Sequence, residues 1–268
     1  MNFTLSPSVR KNIATDFLNK NDVNFDCIIK YSDDSIASKH NILVLFECGF
    51  SDLQVIKSLL YHNIMNFIQN SYWTAVQKIN LLFGLATQKH LFYEPDFKIF
   101  QDASQSHKIR FNSKTNRTDL IAEVFAKLGM NAHSNRTTPV QQTIEELVMN
   151  AQLNAPRIST VTNVADSILI VEKSDKLIAV SVIDHYGTFD SKKFLKKIES
   201  SLTLGRGEAI NFSRAGGAGL GGSVVYGHCD MLLMGCLRLK VTRVTSVLPY
   251  NISEKNFSYI QKSISIID

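Results

Sequence analysis

"TTPVQQTIEELVMNAQLNAPR", residues 137–157, is the stretch on which the fold turns. Its spacing predicts a helix: Thr138 takes the N-cap, Pro139 the first helical position, and Gln141, three residues after the cap, completes a capping box. Ile144, Leu147, Val148, Ala151 and Ala155 fall on one face, whereas Gln142, Glu146, Asn150 and Asn154 recur every four residues on another. Periodicity alone describes an amphipathic helix lying on a core. The residue types add a second reading, because an acid followed four positions later by a carboxamide sets a base and a metal-binding oxygen side by side over a shared ligand.

The next stretch, "DSILIVEKSDKLIAVSVIDHYGTFD", reads as a hairpin whose second strand ends in Asp184, followed by Gly187. An aspartate leaving a buried strand serves as a turn former, or as an acceptor for an exocyclic amine inside a pocket. Further on, "RAGGAGLGGSVVYG" from Arg214 places five of the chain's 13 glycines between Gly216 and Gly222. Gly217, Gly219 and Gly222 satisfy the spacing of a dinucleotide-binding loop. The context does not: "EAINFSRAGG" is polar rather than a strand, and no acidic residue closes a second strand downstream. The lysine of a P-loop is also missing. What remains is a basic, glycine-ended loop opening a helix, "LGGSVVYGHC", whose first amides suit phosphate oxygens.

Upstream, short apolar strands ("DCIIKY", "NILVLFEC", "NIMNFI") alternate with the helical segments "SDLQVIKSLLYH" and "YWTAVQKINLLFGLATQ". This alternation resembles a receiver domain of two-component signalling. The strand "NILVLFEC" ends in Glu47 and Cys48 where that family has its phosphorylatable aspartate, so the resemblance implies a degenerate receiver used as a docking surface. The polar stretch "EPDFKIFQDASQSHKIRFNSKTNRTD" loses periodicity and reads as a linker, its "HKIRFN" opening the next domain as a strand. Composition bounds the function. The 268 residues are 44% hydrophobic with net charge +5, too modest a charge to point to nucleic acid. "SKKFLKK" reads as a solvated helix face. No apolar run approaches the roughly 20 residues that span a bilayer, and the N-terminus lacks a signal-peptide core, so a cytoplasmic protein without membrane partner is expected. Cys27, Cys48, Cys229 and Cys236 lack metal or disulfide spacing and read as reduced thiols.

Taken in order, "EELVMNA", "VIDHYGTFD" and "GGAGLGG" resemble the N, G1 and G2 boxes of the GHKL ATP-binding superfamily, which includes gyrase, histidine kinases, MutL and the anti-sigma-factor serine kinases. The resemblance covers roughly residues 105 to 250. It implies an α/β chain with two parts: a small receiver-like α/β domain over residues 1–104, and over 105–268 a two-layer α/β sandwich of the Bergerat type with a mixed sheet. It implies ATP and Mg2+ as cofactors. Asn150 would hold the magnesium and Glu146 would be the general base. Asp184 would bind the adenine amine with Gly187 backing the ring. Ser200–Ala215 would form the lid, with Gly217, Gly219, Leu220 and Gly221 in the phosphate loop and Thr242 near the adenine.

Two departures bear on activity. The G1 box usually runs D-x-G-x-G, but Tyr186 stands at its first glycine position and Thr188 at its second. Glu146 stands where histidine kinases have asparagine or histidine, and a carboxylate there suits proton abstraction from a hydroxyl or from water. His40, His62, His90, His107 and His133 lack the H-[ED]-x-x-x-P setting of a phosphoacceptor, and no transducer domain follows. The expectation is a bacterial-type signalling protein that binds Mg-ATP and phosphorylates a serine or threonine of a partner protein, one resembling an anti-sigma antagonist or another signalling protein. A homodimer is left open. Two alternatives stand beside it: an ATP-pocket scaffold acting as an interaction module without turnover, and a histidine kinase catalytic unit acting in trans.

Overall fold

The computed structural model describes residues 3–4, 26–31, 41–45 and 51–267, except 62–64, 70, 132–133, 162–163, 205–220, 251 and 253. Its strands are β1 (Phe3–Thr4), β2 (Asp26–Tyr31), β3 (Asn41–Leu45), β4 (Asn66–Gln69), β5 (Gln105–Phe111), β6 (Ser167–Lys173), β7 (Leu177–Asp184), β8 (Met231–Leu237), β9 (Val241–Pro249) and β10 (Ser263–Ile267). They form one mixed sheet in the order β1-β2-β3-β4-β10-β8-β9-β7-β6-β5. The expected hairpin is β6–β7, turning over Ser174–Lys176, with Ile168 opposite Ile183. The "HKIRFN" strand is β5, antiparallel to β6. The C-terminal tail supplies β10, which runs parallel to β8 and antiparallel to β4.

The helices are α1 (Asp52–Tyr61), α2 (Ala75–Thr87), α3 (Arg117–Leu128), α4 (Thr138–Met149), α5 (Ala155–Ile158), α6 (Ser191–Leu204) and α7 (Gly221–His228). α3, α4, α6 and α7, with α1 at one end, cover one face of the sheet and make an α/β sandwich with it. The stripe predicted from residues 137–157 is the stripe observed: Ile144, Leu147, Val148, Ala151 and Ala155 are all buried in or against this core. "SKKFLKK" lies on α6 with Lys192, Lys193, Lys196 and Lys197 exposed, while Phe194, Leu195 and Ile198 turn to the core.

β7 is buried along its whole length, which requires cover on both faces. The second face is covered by α2, a 3-10 turn over Lys89–Tyr93 and the segment that follows, packed on Ala179, Leu233 and Val247. The stretch read as a linker therefore begins as a fixed strap. Ile99 and Phe100 are buried, and their N–H groups donate to the buried carboxylate of Glu172 at 3.0–3.1 Å. Arg243, fully buried, donates to the carbonyls of Phe92 (2.8 Å) and Glu94 (3.2 Å) and to Ser181 Oγ (3.1 Å). Its guanidinium stacks over Phe92 and Phe97. Burial pulls its pKa down to about 10, with Glu172 opposing. Polar composition hid this packing because the strap is held through its backbone by two buried charges rather than by a periodic apolar face.

β3, α1 and β4 form a parallel βαβ unit, the alternation read upstream; β1 and β2 add antiparallel to it. β4 is locked to the rest by Lys78 on α2, which is fully buried, pairs with Asp230 at 2.6 Å and donates to the Gln69 carbonyl and Ser263 Oγ. The capping box sits on α2, between Thr74 and Gln77, rather than on α4. Thr138 is already helical in α4; the cap is Thr137, whose hydroxyl donates to the carbonyls of Asn131 and Ser134 and so is not available to the helix. Among the described residues no helix is long and apolar enough to cross a membrane.

Candidate functional site

Glu146 projects from α4 toward the first turn of α7. A Cβ at Gly221 would collide with Glu146 Oε2, so the carboxylate rests on the bare backbone at the start of that helix. Gly222 is packed against the Phe194 ring, less closely. Glu146 Oε2 is buried with no hydrogen-bond partner. Burial raises its pKa, Glu145 adds to the rise, and the Arg117 charge opposes it. A half-buried carboxylate with raised proton affinity and a free oxygen has the properties of a general base.

Asn150 lies one turn further along the same face. There the α-helix gives way to a π-helical turn over Asn150–Asn154 before α5 resumes. Such turns insert one residue and re-aim the side chains on them. Asn150 Oδ1 accepts from Asn154 Nδ2 at 2.6 Å. Gln152, from the opposite side of the turn, donates to the carbonyls of Asn112 (2.7 Å) and Thr115 (3.0 Å), tying the β5–α3 loop to it. Periodicity could not foresee the turn, because Ala151 within it and Ala155 after it still face the core.

A second group forms where β7 ends. Asp184 and Thr242 are direct cross-strand neighbours on β7 and β9. The buried Asp184 carboxylate accepts from Tyr186 N at 3.0 Å, from the Gly187 amide and from the Thr242 hydroxyl. Burial raises its pKa to about 6 against those three bonds. Gly187 has φ +58°, and a Cβ there would run into the backbone of Leu237, Leu239 and Lys240. Its carbonyl accepts from Leu239 N at 2.9 Å, so the G1-like loop is pressed onto the β8–β9 turn. Tyr186 contributes its amide to Asp184, a contact indifferent to the side chain.

A cavity of about 580 Å3 opens beside this group, between Ile158 of α5, the loop from Gly187 to Lys193, and Met234–Cys236 of β8. Lys192, Lys193 and Arg238 lend it positive charge. Thr188 lines it, whereas Asp184, Glu146 and Asn150 do not. α4 and the π turn lie on β7, so both groups sit on the same face of the sheet. No hydrogen bond joins them among the described residues.

Gly217, Gly219 and Leu220 lie outside the described residues, as do lid positions 205–215. Positions 200–204 of the expected lid are the last turn of α6. Cys229 is a buried free thiol and Cys236 a half-buried one beside Thr242. Among the described residues no group of three or more His, Cys, Asp or Glu could hold a metal ion. A Mg2+ brought in with phosphates would find oxygens at Asn150 Oδ1 and the Glu146 carboxylate, and would need ligand or water oxygens besides. Arg117 and Arg243 carry no motif in the sequence; each acts from an element distant in sequence from the residue it serves. No protein-family model, no curated protein and no solved structure matches the chain.

Proposed function

We propose that the chain is a signalling protein of the cytoplasm that binds an adenine nucleotide with magnesium and transfers its terminal phosphoryl group to a serine or threonine of a partner protein. The observation that carries this reading is Glu146: a half-buried carboxylate, one oxygen unpaired, seated at the glycine start of α7 and one turn from Asn150. The ordered resemblance to the three GHKL boxes supports it.

Asp184 accepts the exocyclic amine of the base, held in its ionised form by the Thr242 hydroxyl and the two loop amides. The first amides of α7 face phosphate oxygens. Glu146 takes the proton of the acceptor hydroxyl as that oxygen bonds to phosphorus and the bond to the leaving diphosphate breaks. Bound magnesium, with Asn150 as ligand, would neutralise phosphate charge. Glu146→Gln tests the assignment: it keeps shape but cannot accept a proton at neutral pH. Phosphoryl transfer to a partner, followed with labelled ATP, is expected to fall by about 100-fold or more while nucleotide affinity stays within a few-fold. Unchanged transfer would overturn the role.

A second reading, a pocket that docks a partner without turnover, is favoured by one contact. The Asn154 amide occupies the very oxygen of Asn150 that a cation would need. Adenine nucleotide binding with magnesium-independent affinity and no transfer would select it.

A further inference from the structure

Arg117, at the first position of α3, has its Nη1 buried and without a hydrogen-bond partner. α3 packs on α4, and the Arg117 charge is near enough to Glu146 to lower its pKa. Yet the two make neither an ion pair nor a hydrogen bond, and Glu146 Oε2 is likewise buried and unpartnered. The Ser223 hydroxyl, in the first turn of α7, is a third buried polar group without a partner. Leaving a buried polar atom unpaired costs stability, and folded proteins keep few such atoms. Two of opposite charge, on packed helices and not paired with each other, are both left for a ligand to pair.

We infer that Arg117 is a phosphoryl-contacting residue: its guanidinium donates to the oxygens of the terminal phosphoryl group, facing Glu146 across the transferring atom. The inference rests on the nucleotide reading above. A guanidinium suits this place because its planar fork meets two phosphate oxygens at once and never loses its charge at neutral pH. The backbone of Arg117 is fixed for the task. Asn116 caps α3 through Thr118 N at 2.9 Å, and the preceding loop is tied to the π turn by Gln152. The step balances as follows: the acceptor oxygen bonds to phosphorus, its proton passes to Glu146, the bond to the β-phosphate oxygen breaks, and ADP leaves with that electron pair. Arg117 stays protonated throughout and offsets charge on the phosphoryl oxygens.

The discriminating quantity is the preference for ATP over ADP, since only ATP reaches Arg117. Isothermal titration of the full chain with each nucleotide and magnesium would compare the wild type with Arg117→Gln and Arg117→Lys. The expected result is a loss of ATP affinity of about 10- to 100-fold in Arg117→Gln, with ADP affinity unchanged. Arg117→Lys retains charge without the fork and should fall between. Equal effects on both nucleotides, or none on either, would overturn the role of Arg117 while leaving nucleotide binding intact. A wild type that binds neither nucleotide would overturn both readings together. Circular dichroism of each variant guards against loss of fold, and Arg117→Lys keeps the test in force should Arg117→Gln not fold.

Discussion

Asp184 is the residue whose chemistry changes most with pH. Its carboxyl titrates at about 6 in the folded chain, because burial outweighs three hydrogen bonds, against about 4 in an unfolded one. The folded state thus holds the proton over a window in which the unfolded state has lost it. The sign follows: ionising Asp184 lowers stability as pH rises from about 4 to about 6, and the group adds no further dependence above that. Nucleotide binding should run the other way, since only the ionised form accepts from an amine. Adenine nucleotide affinity is expected to rise about tenfold from pH 5 to pH 7.5. The neighbouring His185 is also titratable, and burial lowers its pKa. Asp184→Asn separates the two: a flat profile assigns the dependence to Asp184, and a persisting slope would assign it to another group. Asp184 was legible in sequence because its strand is a clean apolar run with one acid at its end. Thr242 was legible only through the family pattern, and the cross-strand register supplies the physical reason for pairing them.

At the scale of elements, α4 shows what periodicity can and cannot tell. The buried stripe of 144–155 was fully readable, since core contacts repeat at 3.6 residues. The π turn and the shift of the cap to Thr137 are not, because both go with hydrogen bonds that an apolar period does not register: Gln152 to the Asn112 and Thr115 carbonyls for the first, Thr137 to those of Asn131 and Ser134 just before it for the second. The same holds for residues 94–100, which read as the start of a linker and form part of the strap. Its anchor charges, Arg243 and Glu172, sit on strands far along the chain, and a polar stretch offers no signal that its backbone is bonded. Arg243→Met would strip three carbonyls of their donor and leave Glu172 buried without its nearby cation. The expected loss is about 3–5 kcal/mol, read from the urea midpoint. An unchanged midpoint would mean that apolar contacts alone hold the strap. In the G1-like loop, Gly187→Ala meets both a left-handed backbone and a collision with the β8–β9 turn. The strain predicts a loss of roughly 1–3 kcal/mol in thermal or urea unfolding, and a neutral substitution would contradict the geometry.

The whole molecule is organised around one mixed sheet whose two faces carry different duties. One face holds α3, α4, α6 and α7, and with them every described residue of the candidate site. The other is closed by α2 and the strap, with β10 and the Lys78–Asp230 pair joining β4 to the same sheet. Alternating patterns made the α/β class readable; the insertion of the tail between β4 and β8 was not, since a short apolar strand carries no address for its neighbours. The adenine nucleotide is the claim on which the reading of this face depends. Thermal unfolding of the full chain, titrated with ATP, ADP and GTP with and without magnesium, tests it most directly, because a ligand held only by the folded state raises its stability. The account predicts a rise in Tm with ATP and ADP, larger with magnesium for ATP, and none with GTP. No shift at millimolar adenine nucleotide, or an equal shift with GTP, would contradict it.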